Sequence, residues 1–98
     1  MNILKTAEFQ KWFKKLSFTV RALITKRLLR VECGNLGDFK AVGDGVFEFR
    51  IHSGAGYRVY FGRDGDITVV LLIGGNKGSQ QKDIEKAKEM WKCLTKKP

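Results

Sequence analysis

Three features of this 98-residue chain predict an α+β domain with a mainly antiparallel sheet of four or five strands. Apolar residues recur at helical spacing as far as Cys33-Gly34-Asn35 and then switch to a period of about two. Turn signals at Gly43-Asp44-Gly45, Ser53-Gly54-Ala55-Gly56 and Asp64-Gly65 cut the alternating region into strand-length pieces. After Ser79 the spacing is helical again. A chain this short supports one modest core, so residues 1–98 read as a single domain.

Residues 2–5 (NILK) suit a short strand. Thr6 then offers an N-cap oxygen, and Glu8 puts an acid in the first helical turn, where the helix dipole favours it. Phe9, Trp12, Phe13 and Leu16 follow at helical spacing, with Lys11, Lys14 and Lys15 on the other side. Ser17 caps a second helix whose stripe of Val20, Ile24, Leu28 and Val31 is apolar, while Arg21, Lys26 and Arg30 project away. Joined by a tight turn, the two make a helical hairpin packed on the sheet. Strands are expected near 38–42, 46–52, 57–63 and 67–73, with Asp64-Gly65 resembling a two-residue hairpin turn. The last strand is apolar on both faces, which predicts a central, doubly covered position. Gly74-Gly75-Asn76-Lys77-Gly78 reads as a flexible loop, and Ser79 as the cap of a C-terminal helix carrying Ile84, Ala87, Trp91 and Leu94 on one face.

The net charge of +9 is unevenly placed. Residues 1–30 hold eight Lys or Arg against one acid, residues 31–76 hold four against six, and residues 77–98 hold seven against three. Such a field favours a polyanionic partner and salt-dependent binding; a merely solvated lysine surface would carry the same charge. Membrane binding fits less well, because the basic helices also carry core-facing stripes. The longest apolar run, 69–73, is too short to span a bilayer. The start, MNILKTAEF, has no signal-peptide apolar region, which predicts a cytoplasmic protein. Cys33 and Cys93 stand far apart with no CxxC or His pairing, so both read as plain thiols and no metal site is expected.

The alternation across 38–62 divides the side chains by chemistry. Phe39, Phe47, Phe49, Ile51, Tyr57, Val59 and Phe61 fall on one face, and Lys40, Glu48, Arg50, His52, Arg58 and Tyr60 on the other. The first set can close a core. The second gathers what RNA cleavage without a metal requires. The ribose 2′-hydroxyl attacks the adjacent phosphorus, and fixed guanidinium groups stabilise the charge that builds on the phosphoryl oxygens. Arg50 and Arg58 suit that role because the planar fork stays charged and matches phosphate oxygens. Tyr60 is the expected base, its pKa lowered from about 10 by neighbouring cations, with Lys40 as an alternative base or phosphate ligand. Lys77 can reach the scissile group or the leaving oxygen, Glu48 can serve as a weak general base or orient an arginine, and His52, the only imidazole, is a candidate acid or base at the strand's end beside a turn. The competing reading is an ordinary half-exposed sheet with polar residues facing water.

The blocks G-x-G-V-x-E-x-R-I (43–51), G-Y-R-V-Y-F (56–61) and L-L-x-G-G-x-K (71–77) resemble the RelE/ParE toxin superfamily, closest to its HigB-like addiction module killer branch. The resemblance spans nearly the whole chain. It implies the toxin of a type II toxin–antitoxin pair, a ribosome-dependent mRNA endoribonuclease (mRNA interferase) that inhibits translation and uses no metal or cofactor. It also implies a small helix-turn-helix antitoxin as partner, with operator DNA reached only through that complex. The positions matching the motif are Lys40, Glu48, Arg50, Arg58, Tyr60 and Lys77. Lys11, Lys14, Lys15, Arg21, Lys26 and Arg30 become candidate RNA-binding residues that dock on the ribosome. RelE relies on a tyrosine near its C-terminus, whereas KCLTKKP has neither Tyr nor His, so the acid–base group must come from Tyr60, Tyr57 or His52. The alternatives are a ParE-like, non-enzymatic poison of DNA gyrase, acting through the helical hairpin, and a non-catalytic basic RNA-binding module.

Overall fold

The computed structural model describes residues 1–96. The elements run β1 (Asn2–Lys5), α1 (Ala7–Lys14), α2 (Phe18–Glu32), β2 (Phe39–Gly43), β3 (Val46–Ile51), β4 (Tyr57–Asp64), β5 (Thr68–Gly75), a 3₁₀ turn (Lys77–Ser79) and α3 (Gln80–Thr95). The strands form one sheet in the order β1-β5-β4-β3-β2. Only β1 pairs parallel, with β5, and the other neighbours are antiparallel. The α+β expectation holds.

Helices α1 and α2 start where a side-chain oxygen can satisfy a free backbone N–H. Thr6 Oγ1 accepts from the Phe9 N–H at 3.1 Å and donates to the Leu72 carbonyl at 2.7 Å, so it caps α1 and ties it to β5. Ser17 caps α2 by accepting from the Val20 N–H. That helix closes at Gly34, with the Gly34 and Asn35 amides donating to the Val31 and Arg30 carbonyls in a Schellman arrangement.

Helices cover both faces of the sheet. On one side Phe9 of α1 and Val20, Ile24, Leu28 and Val31 of α2 pack on Phe49, Ile51, Val59, Phe61, Val69 and Leu71. On the other side Ala87, Ile84, Met90 and Trp91 of α3 pack on Val46, Tyr60, Leu72 and Ile73. β5 thus lies inside the sheet with helix on each side, as its doubly apolar sequence predicts. A register shift opposite Tyr60 and Phe61 makes this possible, because Leu72 and Ile73 then both join the α3 side.

Several local expectations are corrected. The two-residue hairpin turn is Asp44-Gly45, where both residues have positive φ (54° and 80°), the requirement of a type I′ turn. Asp64 instead pairs with Thr68 across a three-residue loop. The segment expected as a flexible loop is ordered: Gly74 and Gly75 end β5, and the Asn76 side chain caps the 3₁₀ turn. Ser79 makes no cap bond to α3, because its hydroxyl donates to the Asp83 carboxylate. Arg21 does not project away but is half-buried, while Lys26 and Arg30 are exposed. Cys33 and Cys93 are free and exposed.

Gly74 owes its place to a close approach. A Cβ there would overlap the Trp12 ring, which lies flat against the strand from the α1 side. Gly74→Ala is therefore expected to destabilise the fold by about 1–3 kcal/mol, the range for overpacking a filled core. Urea unfolding checks this, and an unchanged midpoint would mean the Trp12 contact is loose.

Candidate active site

The pleat and the strand register assemble the polar set. Lys40 faces Glu48 and Glu48 faces Tyr60 on consecutive strands, and Arg50 faces Arg58 one step along. Side chains on one face of directly opposed positions lie close enough to touch. Lys40, Glu48, Arg50, Arg58 and Tyr60 thus share one sheet face, the face that α3 partly covers.

Glu48 is the centre of this cluster and is fully buried. Its Oε1 accepts from Arg50 Nε at 3.2 Å and lies 4.0 Å from Lys40 Nζ. Its Oε2 accepts from Gln80 Nε2 of α3 at 3.1 Å and lies 3.7 Å from Arg58 Nε. One carboxylate therefore positions three cations and a helix. The cations are not equivalent. Arg58 is only 6% exposed, and its Nη1 is committed to the Gly56 carbonyl at 2.9 Å. The side chains of Arg50 and Lys40 are 42% and 55% exposed. These two, with Glu48, His52 and Asp38, line a cleft of about 240 Å³ at the open end of β2 and β3. Three cations against Glu48 leave the cluster itself positively charged, while Asp38 at the cleft's edge offsets part of that charge.

Tyr60 is placed differently from the sequence expectation. It sits beneath α3 with no exposed surface, and its hydroxyl has no hydrogen-bond partner among the described residues. Burial raises its pKa above the ordinary tyrosine value, and the Glu48 carboxylate, near but outside hydrogen-bonding geometry, pushes the same way. Arg58 pulls it down, but more weakly. A phenol that resists ionisation and touches no solvent is unsuited to act as the base. The shift has a consequence for stability. The folded state holds the Tyr60 proton at a pH where the unfolded chain has lost it. This contribution is thus complete below about pH 10 and is lost as the pH rises further. Alkaline unfolding should begin above that value and be blunted in Tyr60→Phe. Ultraviolet titration should show the Tyr60 phenolate only as the protein unfolds, and ionisation of both tyrosines in the native state would contradict the burial.

Lys77 is exposed beside the cluster. A point at the would-be Cβ of Gly56 is 3.6 Å from Lys77 Cβ and 3.7 Å from Arg58 Nη1. The basic residues of α1 and α2 that the sequence assigns to RNA binding are elsewhere. Those helices cover the opposite face of the sheet, so Lys11, Lys14, Lys15, Lys26 and Arg30 do not converge with the cluster.

Sequence reasoning missed three contributors. Gln80 reaches Glu48 from 32 positions away, Asp38 lines the cleft, and Arg27 of α2 clamps the site's outer edge. Arg27 donates to the carbonyls of Arg50, Leu36 and Asp38, and its guanidinium carbon lies 5.0 Å from the centre of the Phe49 ring. No local pattern marks Gln80 or Arg27, since each acts through a tertiary contact. Among the described residues no cluster of His, Cys, Asp and Glu forms a metal-ligand set.

A five-stranded sheet with two helices on one face and a C-terminal helix on the other is the RelE fold. The chain superposes on an E. coli RelE mutant in the free state with a TM-score of 0.70 at 21% identity, covering 90% of this chain and 93% of that one. For the isolated E. coli RelE toxin in the P21 form the TM-score is 0.64 at 20% identity, covering 87% and 96%. The intact E. coli RelBE toxin–antitoxin complex gives 0.63 at 23% identity, covering 76% and 94%. Residues 11–92 match the family described as "Phage derived protein Gp49-like (DUF891)", and the chain belongs to that family. An uncharacterized protein of Haemophilus influenzae is 45% identical over 89 residues, which cover 90% of each chain. Among the described residues no helix is long and apolar enough to cross a membrane.

Proposed function

We propose that this protein is the toxin of a type II toxin–antitoxin module on the HigB-like branch, a cytoplasmic, ribosome-dependent and metal-independent mRNA endoribonuclease. The observation that carries this reading is the Glu48 cluster. A buried carboxylate fixes Arg50 and Arg58 at 3.2 and 3.7 Å while Arg50 and Lys40 keep half their surface open to a cleft. Groups held in place before the reaction stabilise developing charge without reorganising, which is what lowers a barrier. In this reading Arg50 and Lys40 bind the scissile phosphate, and Arg58 holds the field from below. Lys77 approaches the leaving oxygen. His52, which lines the same cleft, takes over the proton transfer first assigned to Tyr60.

A cleft this open holds few groups that could orient a ribose unaided, so the ribosome is assigned the positioning of the message. The fold shared with the toxin of the RelBE complex supports a cognate antitoxin as partner. Added to a translating extract, the protein should produce discrete cuts within codons. Intact messages with translation continuing would overturn the nuclease reading, and a change in DNA supercoiling under those conditions would favour the gyrase alternative.

A further inference from the structure

We propose that Arg27 of α2 is a positioning residue for the Lys40–Arg50 cleft: its guanidinium replaces a missing rung between β2 and β3 and so sets where Arg50 presents its charge. The proposal rests on the nuclease reading in one respect, namely that Arg50 is the group that meets the phosphate.

The ladder between β2 and β3 starts at Phe39 and Phe49. Asp38 and Arg50, the next residues outward, form no such pair among the described residues, yet both line the cleft. Unpaired chain at a strand end opens most readily. Arg27 closes this gap from behind. Its Nη1 donates to the Arg50 carbonyl at 3.2 Å, and its Nη2 donates to the Asp38 and Leu36 carbonyls at 2.6 and 3.2 Å. A planar fork with diverging donors can tie two chain segments at once, which a lysine's point charge does not reproduce.

The guanidinium is itself held in place. Its central carbon lies over the Phe49 ring, 5.0 Å from the centre. The connector before β2 folds tightly around it: Gly37 has a φ of 65°, and a Cβ there would come within 3.0 Å of Arg27 Nε. Asn35 Oδ1 accepts from the Gly37 amide at 3.0 Å and fixes that bend.

Arg27 approaches from the α2 side, where Phe49 belongs, whereas Lys40, Glu48 and Arg50 project to the α3 side. It thus grips the backbone of the cleft without touching what the cleft holds. Arg50 is anchored at both ends, with its Nε on Glu48 at 3.2 Å and its carbonyl on Arg27 at 3.2 Å. Glu48 fixes the direction of the side chain, and Arg27 fixes its root. A reacting geometry displaced by about 1 Å can cost about 10²-fold in rate, even when the substituted residue lies away from the chemistry.

The test uses the full chain in single-turnover cleavage of ribosome-bound mRNA, with ribosome affinity measured separately. Arg27→Met keeps its stem on Phe49 but loses all three bonds, so it should slow cleavage about 10–100-fold with ribosome affinity within about twofold of wild type. Arg27→Lys, which can hold one carbonyl, should fall between the two. In the Arg50→Ala background, Arg27→Met should cost less than about twofold more, because the group it positions is gone. Val69 pairs with Arg63, at the end of β4 away from Arg58, so Val69→Ala should lower the unfolding temperature and still cleave at the wild-type rate.

Wild-type cleavage by Arg27→Met, or full additivity with Arg50→Ala, would overturn the positioning role and leave the nuclease reading standing. A loss shared by Val69→Ala in proportion to its stability would make Arg27 a brace of the fold alone, also overturning it. Should Arg27→Met not fold, Arg27→Lys and its cycle with Arg50→Ala decide by the same criteria. If the wild-type chain cuts no message, the positioning role and the nuclease reading fall together.

Discussion

Replacing Glu48 by Gln is expected to cost about 3–5 kcal/mol of stability, the range for removing one partner of a buried ion pair. The reason is Arg58. Its guanidinium is nearly buried, and its Nε has no other partner among the described residues, so loss of the carboxylate strands a charge beneath α3. Gln keeps the shape and can still meet Gln80, which separates the charge effect from packing. For a chain near 100 residues, each kcal/mol lowers Tm by about 4–8 °C, so the transition should fall by more than about 12 °C. Changing both Glu48 and Arg58 to Met should recover much of the loss, because the stranded charge is then gone. A fall of less than about 1 kcal/mol in the single variant would show that water reaches this pair, contrary to its burial.

Arg50→Ala should do the opposite, leaving stability within about 1 kcal/mol while cutting cleavage in a translating extract by roughly 10²–10³-fold. That is the loss seen when one fixed donor to a developing anion is removed. Its side chain is 42% exposed and its ion pair with Glu48 is screened by solvent, so the fold depends on it little. Arg58 is the less informative target, because its removal disturbs a buried charge and the site at once. Matching cleavage rates for Arg50→Ala and wild type, with folding intact, would remove the central element of the proposed chemistry. Tyr60→Phe should cleave normally, since its hydroxyl lies under α3 and away from the cleft.

The sequence by itself determined the elements and the faces. A change from helical to alternating spacing near residue 34 located both helices of the hairpin and the strands after it, and Thr6 and Ser17 cap helices as their positions imply. The period of two sorted Lys40, Glu48, Arg50, Arg58 and Tyr60 onto one side, since a strand's pleat depends on the backbone alone. Tertiary structure decided what that side meets. Its period is silent about α3, whose packing buries Tyr60 and Glu48 and leaves Lys40 and Arg50 in the open. Whether a phenol ionises depends on the dielectric and the charges around it, and these come from the packing of α3 and from residues such as Asp83, far along the chain and brought near only by folding. Tyr60 and Arg50 read alike in the alternation, yet one is packed core and the other faces a cleft.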